Sequence, residues 1–154
     1  MKLIKEIVSK DDYLIFIITN QAGIARGYYT EEEYLKFQKY VEEYLLENGI
    51  KIKKTYYCPH HPEGIIDRYK ITCECRKPKP GMLLQAAKEY EIDLKKSVLI
   101  GDKDSDFAAG TSVGCEIIRV WFEGDKVIQK EVPYKYYSAR YYCSGDVPQS
   151  QFFY

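Results

Sequence analysis

Tyr13-Leu14-Ile15-Phe16-Ile17-Ile18-Thr19-Asn20 decides the fold. The first six residues are an unbroken apolar run, too short for a typical helix and without polar alternation. Such a run suits a strand of a parallel sheet, because helices then cover both of its faces. It ends in Thr19-Asn20-Gln21, so polar groups sit at the carboxyl end of the strand, where open α/β sheets bind their ligands.

Working outward, the same rhythm returns. Thr30 with Glu33 three residues on predicts a capping box. The helix that follows carries an apolar stripe of Tyr34, Phe37, Val41, Tyr44 and Leu45 and stops at Asn48-Gly49. Residues 50–57 read as a strand, 82–90 as a helix, 97–101 as a buried strand ending at Asp102, 104–109 as a short helix capped by Asp104, and 115–121 as a strand. Upstream, residues 2–9 read as a helix fragment with Leu3, Ile4 and Ile7 on one face. Alternating strands and helices predict an α/β fold, a Rossmann-like parallel sheet flanked by helices. Residues 1–122 are taken as one domain and 123–154 as a divergent segment. The last 30 residues hold six of the 16 tyrosines and no clear period. They are read as an edge strand, a docking surface or a poorly ordered tail.

Composition narrows the class. The 154 residues are 45% hydrophobic and 30% charged, and 23 basic residues balance 23 acidic ones. That balance argues against nucleic acid as a partner, and against a zinc-ribbon-like nucleic-acid module. No apolar run approaches the roughly 20 residues of a membrane span, and the start lacks the pattern of a signal peptide. A cytoplasmic location follows as the expectation.

Residues 58–80 form a long loop rich in Cys, His, Pro and charge, and a loop of that length usually has a function. Cys58-Pro59-His60-His61 is followed by Cys73-Glu74-Cys75. Two closely spaced pairs, Cys58 with His60 and Cys73 with Cys75, offer four nitrogen and sulfur ligands for a closed, structural zinc site. His61 is either a weaker ligand or part of a pocket wall. Arg76-Lys77 follows at once. A guanidinium grips phosphate through two parallel bonds, and a lysine can neutralise charge on a transferring phosphoryl group. Asp102, at the tip of a buried strand, suits Mg²⁺, while Asp106 can orient the loop or a ligand.

The order of these features resembles the haloacid dehalogenase superfamily: strand–Thr-Asn, then Lys, then strand–Gly-Asp-x-x-x-Asp. More narrowly, TNQAGIARGYYTEEEY (19–34), CPHHPEG (58–64), CECRKPKPGM (73–82) and IGDKDSD (100–106) resemble the heptose 1,7-bisphosphate phosphatase and histidinol-phosphatase family. The resemblance spans roughly residues 13–122. It implies a HAD-like fold with a zinc-binding loop, Mg²⁺ and Zn²⁺ as cofactors, and a small sugar phosphate, or alternatively histidinol phosphate, as substrate. It assigns zinc to Cys58, His60, Cys73 and Cys75, magnesium to Asp102, and the catalytic apparatus to Thr19, Asn20, Lys77 and Asp102. Substrate contacts fall to Thr19, Asn20, Gln21, Arg76, Lys77 and Lys103.

One part of the family pattern has no match. Its nucleophile lies in an Asp-x-Asp-Gly-Thr sequence at the end of a first strand, and these 154 residues contain no such sequence. Asp102-Lys103-Asp104 and Asp104-Ser105-Asp106 have the spacing but the wrong place in the order. A strand, helix and second strand need about 30 residues, and 18 precede Thr19. The expectation is an incomplete N-terminus and a sheet with one central position unfilled, its neighbours showing unpaired backbone. Truncation, a decayed gene and a strand supplied by another chain or by self-association compete as explanations. Whichever holds, impaired activity or a phosphate-binding role without turnover is expected.

Overall fold

The computed structural model describes residues 13–123, 126–129 and 151–153. The expected helix at 2–9 and most of the tyrosine-rich segment lie outside them. The elements run β1 (Ile15–Asn20), α1 (Ala22–Ala25), α2 (Glu31–Glu47), β2 (Ile52–Cys58), α3 (Gly81–Tyr90), β3 (Ser97–Gly101), α4 (Asp104–Ser112), β4 (Glu116–Glu123), β5 (Lys126–Gln129) and β6 (Gln151–Phe153). The sheet order is β2-β1-β6-β3-β4-β5. All neighbours are parallel except β4 and β5.

The apolar runs behave as strands covered on both faces. Phe16 and Ile18 of β1 pack with Leu99, Met82, Leu83 and Tyr56 in one cluster. Val98 and Ile100 of β3, alternating with Leu99, pack with Ile118 in another. The two-residue period thus sends successive side chains into separate cores.

The Thr30 capping box is present. Its hydroxyl accepts from the Glu33 N–H at 3.2 Å, and the Glu33 carboxylate accepts from the Thr30 N–H at 2.7 Å. The expected stripe of α2 is narrower than the sequence suggests. Tyr34 is buried with Ile24, Ala25 and Tyr69, whereas Phe37 and Tyr44 are 63% and 46% exposed. Helical spacing places a residue on a face, but the neighbouring element must reach that face to bury it. Leu84 of α3 is likewise exposed while Met82, Leu83 and Ala86 are buried. Asp104 is not the cap of α4. It lies in the first turn, and the cap contact comes from Asp106, whose carboxylate accepts from the Lys103 N–H at 3.1 Å.

The expectation of an unfilled central position is corrected by β6. It pairs with β1 through Ile15–Phe152 and Phe16–Phe153, and with β3 through Ser97–Gln151 and Leu99–Phe153. The C-terminal segment therefore contributes both an edge strand, β5, and an interior strand. β6 is three residues long, so it matches the lower part of β1 and β3 and stops short of Thr19, Asn20 and Gly101.

Glu31 joins α2 to β2 and the long loop. Its carboxylate accepts from Tyr69 at 2.6 Å and from Tyr57 at 2.9 Å. The Tyr69 bond first, then that of Tyr57, outweigh partial burial and hold the Glu31 carboxyl below its usual range. A depressed carboxyl contributes stability above its unfolded pKa, which is lost as pH falls through the folded value. Glu31→Gln should therefore cost about 1 kcal/mol at neutral pH, allowing for solvent screening. That corresponds to a fall of roughly 2–4 °C in melting temperature. The gap between the two proteins should close as acid titrates the carboxyl below about pH 4, which parallel melts across pH would show.

Candidate active site and metal centre

The site lies beyond the carboxyl ends of β1 and β3, as the topology of an open parallel sheet requires. Thr19, Asn20, Lys77, Asp102, Lys103, Ser105 and Asp106 line one cavity of about 460 Å³, whose remaining wall is apolar and includes Ile17, Val41, Leu45 and Ile100.

Lys77 is its organising group. The ammonium donates to the Ile18 carbonyl at 2.7 Å and pairs with Asp106 at 2.6 Å, both side chains being 9% exposed. The backbone of Lys77 is held as firmly. The Asn20 side-chain amide donates to the Lys77 carbonyl and accepts from the Lys77 N–H, each at 3.0 Å. Asn20 thereby clips the long loop onto the end of β1, and its amide is engaged in holding Lys77. Asp106 bridges the ammonium to the Lys103 N–H, tying β1, the loop and α4 together. From the sequence Asp106 is expected only to orient the loop or a ligand, and its pairing with Lys77, 29 positions earlier, carries no local signal.

Gly101 makes that bridge possible. A Cβ there would lie 2.7 Å from both Cβ and Oδ2 of Asp106. Gly101→Ala should displace the carboxylate, cost about 1–3 kcal/mol by overpacking, and weaken any ligand bound by Lys77. Chemical denaturation alongside ligand titration would measure both.

Gln21 is the third polar residue at the strand end. Its N–H bonds the Cys58 carbonyl at 2.8 Å, joining the ends of β1 and β2. Its side chain donates to Thr19 Oγ1 at 2.8 Å and accepts from the Tyr29 hydroxyl at 2.7 Å. No period or motif in the sequence singles out Tyr29. Arg76 donates to the His60 carbonyl at 3.3 Å, so one guanidinium nitrogen braces the Cys/His loop.

Cys58, His60, Cys73 and Cys75 converge, with their ligand atoms all within 4.8 Å of one another. The sulfurs are 3.1–3.4 Å apart, and His60 Nδ1 lies 3.8 Å from Cys58 Sγ and 3.5 Å from Cys75 Sγ. A tetrahedron with Zn–S bonds of about 2.3 Å has edges of about 3.8 Å, so the cluster fits such an ion once its sulfurs open by roughly half an ångström. His61 stands outside this cluster, with Nε2 3.2 Å from Arg26 Nη2. Burial first, then Arg76 and Arg26, lower its pKa. Gly81 supports the loop from below: its N–H bonds the Glu74 carbonyl at 3.0 Å, and a Cβ would collide with that same backbone. Cys115 stands apart from the cluster, and burial alone pushes its thiol up to about 12. It is an inert core thiol.

The chain is similar to known hydrolases. A family model described as HAD-hydrolase-like matches residues 74–122. The D-glycero-alpha-D-manno-heptose-1,7-bisphosphate 7-phosphatase of Photorhabdus laumondii is 51% identical over 102 residues, covering 66% of this chain and 56% of that protein. The D-glycero-beta-D-manno-heptose-1,7-bisphosphate 7-phosphatase of Haemophilus influenzae is 47% identical over 103 residues, covering 67% and 55%. Among solved structures, the D,D-heptose 1,7-bisphosphate phosphatase of B. bronchiseptica, complexed with magnesium and phosphate, superposes with a TM-score of 0.64. It is 28% identical, with 75% of this chain and 60% of that one covered.

A parallel sheet with polar groups at its carboxyl edge is the arrangement of the HAD-like hydrolases, and this chain is similar to them over the matched residues. Within that class its relatives are the heptose-1,7-bisphosphate 7-phosphatases, of which it spans a little over half the length.

Proposed function

We propose that these residues form the phosphate-gripping, zinc-bearing part of a Mg²⁺-dependent phosphomonoester hydrolase for a heptose 1,7-bisphosphate-type sugar phosphate, working in the cytoplasm. The observation that carries the reading is Lys77. Its ammonium is fixed by Asp106 and the Ile18 carbonyl, and its backbone by Asn20, on the cavity that Thr19 and Asp102 also line. A preorganised cation and a hydroxyl at one strand edge suit the equatorial oxygens of a phosphoryl group. Lys103 and Arg76 add positive charge for the rest of the ester. Zinc, held by Cys58, His60, Cys73 and Cys75, would brace the loop that delivers Arg76 and Lys77. Magnesium, held by Asp102, would neutralise phosphoryl charge; one or two carboxylates with water and phosphate are its usual shell. No helix among the described residues is long and apolar enough to cross a membrane.

The same residues support ligand binding without turnover as the state of this chain alone. No Asp-x-Asp-Gly-Thr is present, and the strand between β1 and β3 is Gln151-Phe152-Phe153, which carries no carboxylate. Turnover then needs an aspartate delivered beside Thr19 by other residues, and a partner strand bringing it would have to displace β6.

Calorimetric titration with heptose 1,7-bisphosphate in Mg²⁺ tests the binding. Lys77→Ala should weaken the interaction at least tenfold, the loss of a charge-assisted bond to phosphate. Equal affinity of the two proteins would refute the reading.

A further inference from the structure

We infer that Tyr29 is a positioning residue whose hydroxyl, acting through Gln21, sets the Thr19 hydroxyl as a hydrogen-bond donor into the cavity and so selects a phosphoryl oxyanion. The inference rests on the phosphate reading above and adds to it the direction of one proton.

Three groups form a directed chain. The Tyr29 hydroxyl donates to Gln21 Oε1 at 2.7 Å, and Gln21 Nε2 donates to Thr19 Oγ1 at 2.8 Å. In this structure the amide oxygen faces the phenol and the amide nitrogen faces the threonine. Thr19 Oγ1 therefore receives a proton from Gln21 and keeps its own to give. A hydroxyl has one proton, and with that proton aimed away from Gln21 it serves an acceptor in the cavity that Thr19 lines. Each donated bond also polarises the next, which strengthens the terminal donor. A phosphate oxygen is an acceptor and fits. A ligand that offers only a donor to Thr19 leaves the hydroxyl proton without an acceptor.

The placement of Tyr29 is built into the chain. A Cβ on Gly23 would overlap the Tyr29 ring and lie 2.6 Å from its hydroxyl oxygen. Gly23 has no positive φ to explain it, so room for the phenol is what its missing side chain provides. The Tyr28 N–H bonds the Gly23 carbonyl at 2.9 Å, which draws the segment back over α1. Tyr29 packs on the cluster of Ile24, Ala25, Tyr34 and Tyr69. Tyr28, its neighbour, is 73% exposed. The relay thus starts from a packed ring and ends at the strand tip.

The test is titration of the zinc-loaded chain with inorganic phosphate in Mg²⁺. Tyr29→Phe keeps the ring and deletes the relay's first donor, and should weaken phosphate about tenfold with little change in melting temperature. Gly23→Ala, which displaces the phenol, should weaken phosphate likewise but with a measurable loss of stability from the crowding. The discriminating measurement is a double-mutant cycle with Thr19→Val. In that background Tyr29→Phe should have no further effect, whereas a role in general packing would lower affinity in both backgrounds. Wild-type binding with Tyr29→Phe within about twofold would overturn the relay and leave the phosphate reading standing. So would an equal loss in the Thr19→Val background. No phosphate binding by the folded wild-type chain, Lys77→Ala behaving identically, would overturn the underlying reading and the relay with it.

Discussion

Asp106→Ala is expected to destabilise the folded chain by about 3–5 kcal/mol, because it strands the Lys77 ammonium in a site where both partners are 9% exposed. At roughly 2–4 °C per kcal/mol this is a fall of about 10 °C in melting temperature. The loss has two components. The ammonium keeps its bond to the Ile18 carbonyl but loses its counter-charge, and the Lys103 N–H loses the acceptor that starts α4. Removing both charges separates them. Asp106→Ala with Lys77→Met should recover much of the stability, since an apolar pair escapes the cost of an unpaired buried charge. It should recover none of the phosphate affinity. Denaturant unfolding of the three variants measures the first effect and phosphate titration the second. A single mutant within 1 kcal/mol of wild type would show that the pair does not organise the site.

The other large effect is expected from the Cys/His cluster. One zinc per chain should co-purify, and its removal by a chelator, or Cys75→Ser, should unfold the loop over 58–80. Structural zinc sites contribute apparent free energies of about 10–16 kcal/mol near neutral pH, comparable to the roughly 5–15 kcal/mol that a whole domain holds. Burial first, then the Cys75 hydrogen bond, push the Cys58 thiol well up, so without a cation it keeps its proton, and a bound ion must displace that proton. Metal affinity should fall as acid restores it. The effect should reach the cavity, because Arg76 and Lys77 follow Cys75 directly and Asn20 grips the Lys77 backbone. Metal counting with circular dichroism during chelation checks the prediction. Loss of the ion with unchanged spectra and melting would refute a structural role.

How far the sequence could be read depended on range. The runs at 13–20 and 97–101 announced buried strands because both faces are covered, and apolarity alone reports that. The convergence of Cys58, His60, Cys73 and Cys75 was legible because closely spaced pairs are a local signal. Partners that meet only after folding were not. Asp106 reaches Lys77 across 29 positions, and Tyr29 reaches Thr19 through an intervening amide. The exposure of Phe37 and Tyr44 could not be foreseen either, since spacing orients a side chain without saying what lies opposite. Least legible of all was β6. Three residues from a tyrosine-rich stretch with no period take a central place in the sheet, because the backbones of β1 and β3 need a partner there.

Mg²⁺-dependent phosphate release from heptose 1,7-bisphosphate by the folded, zinc-loaded 154-residue chain tests the central claim most directly. The prediction is an ester held in place, in a manner that Lys77→Ala disrupts, with no release above the uncatalysed rate. Sustained release that tracks Lys77 would contradict it, by showing that these residues already contain the nucleophile.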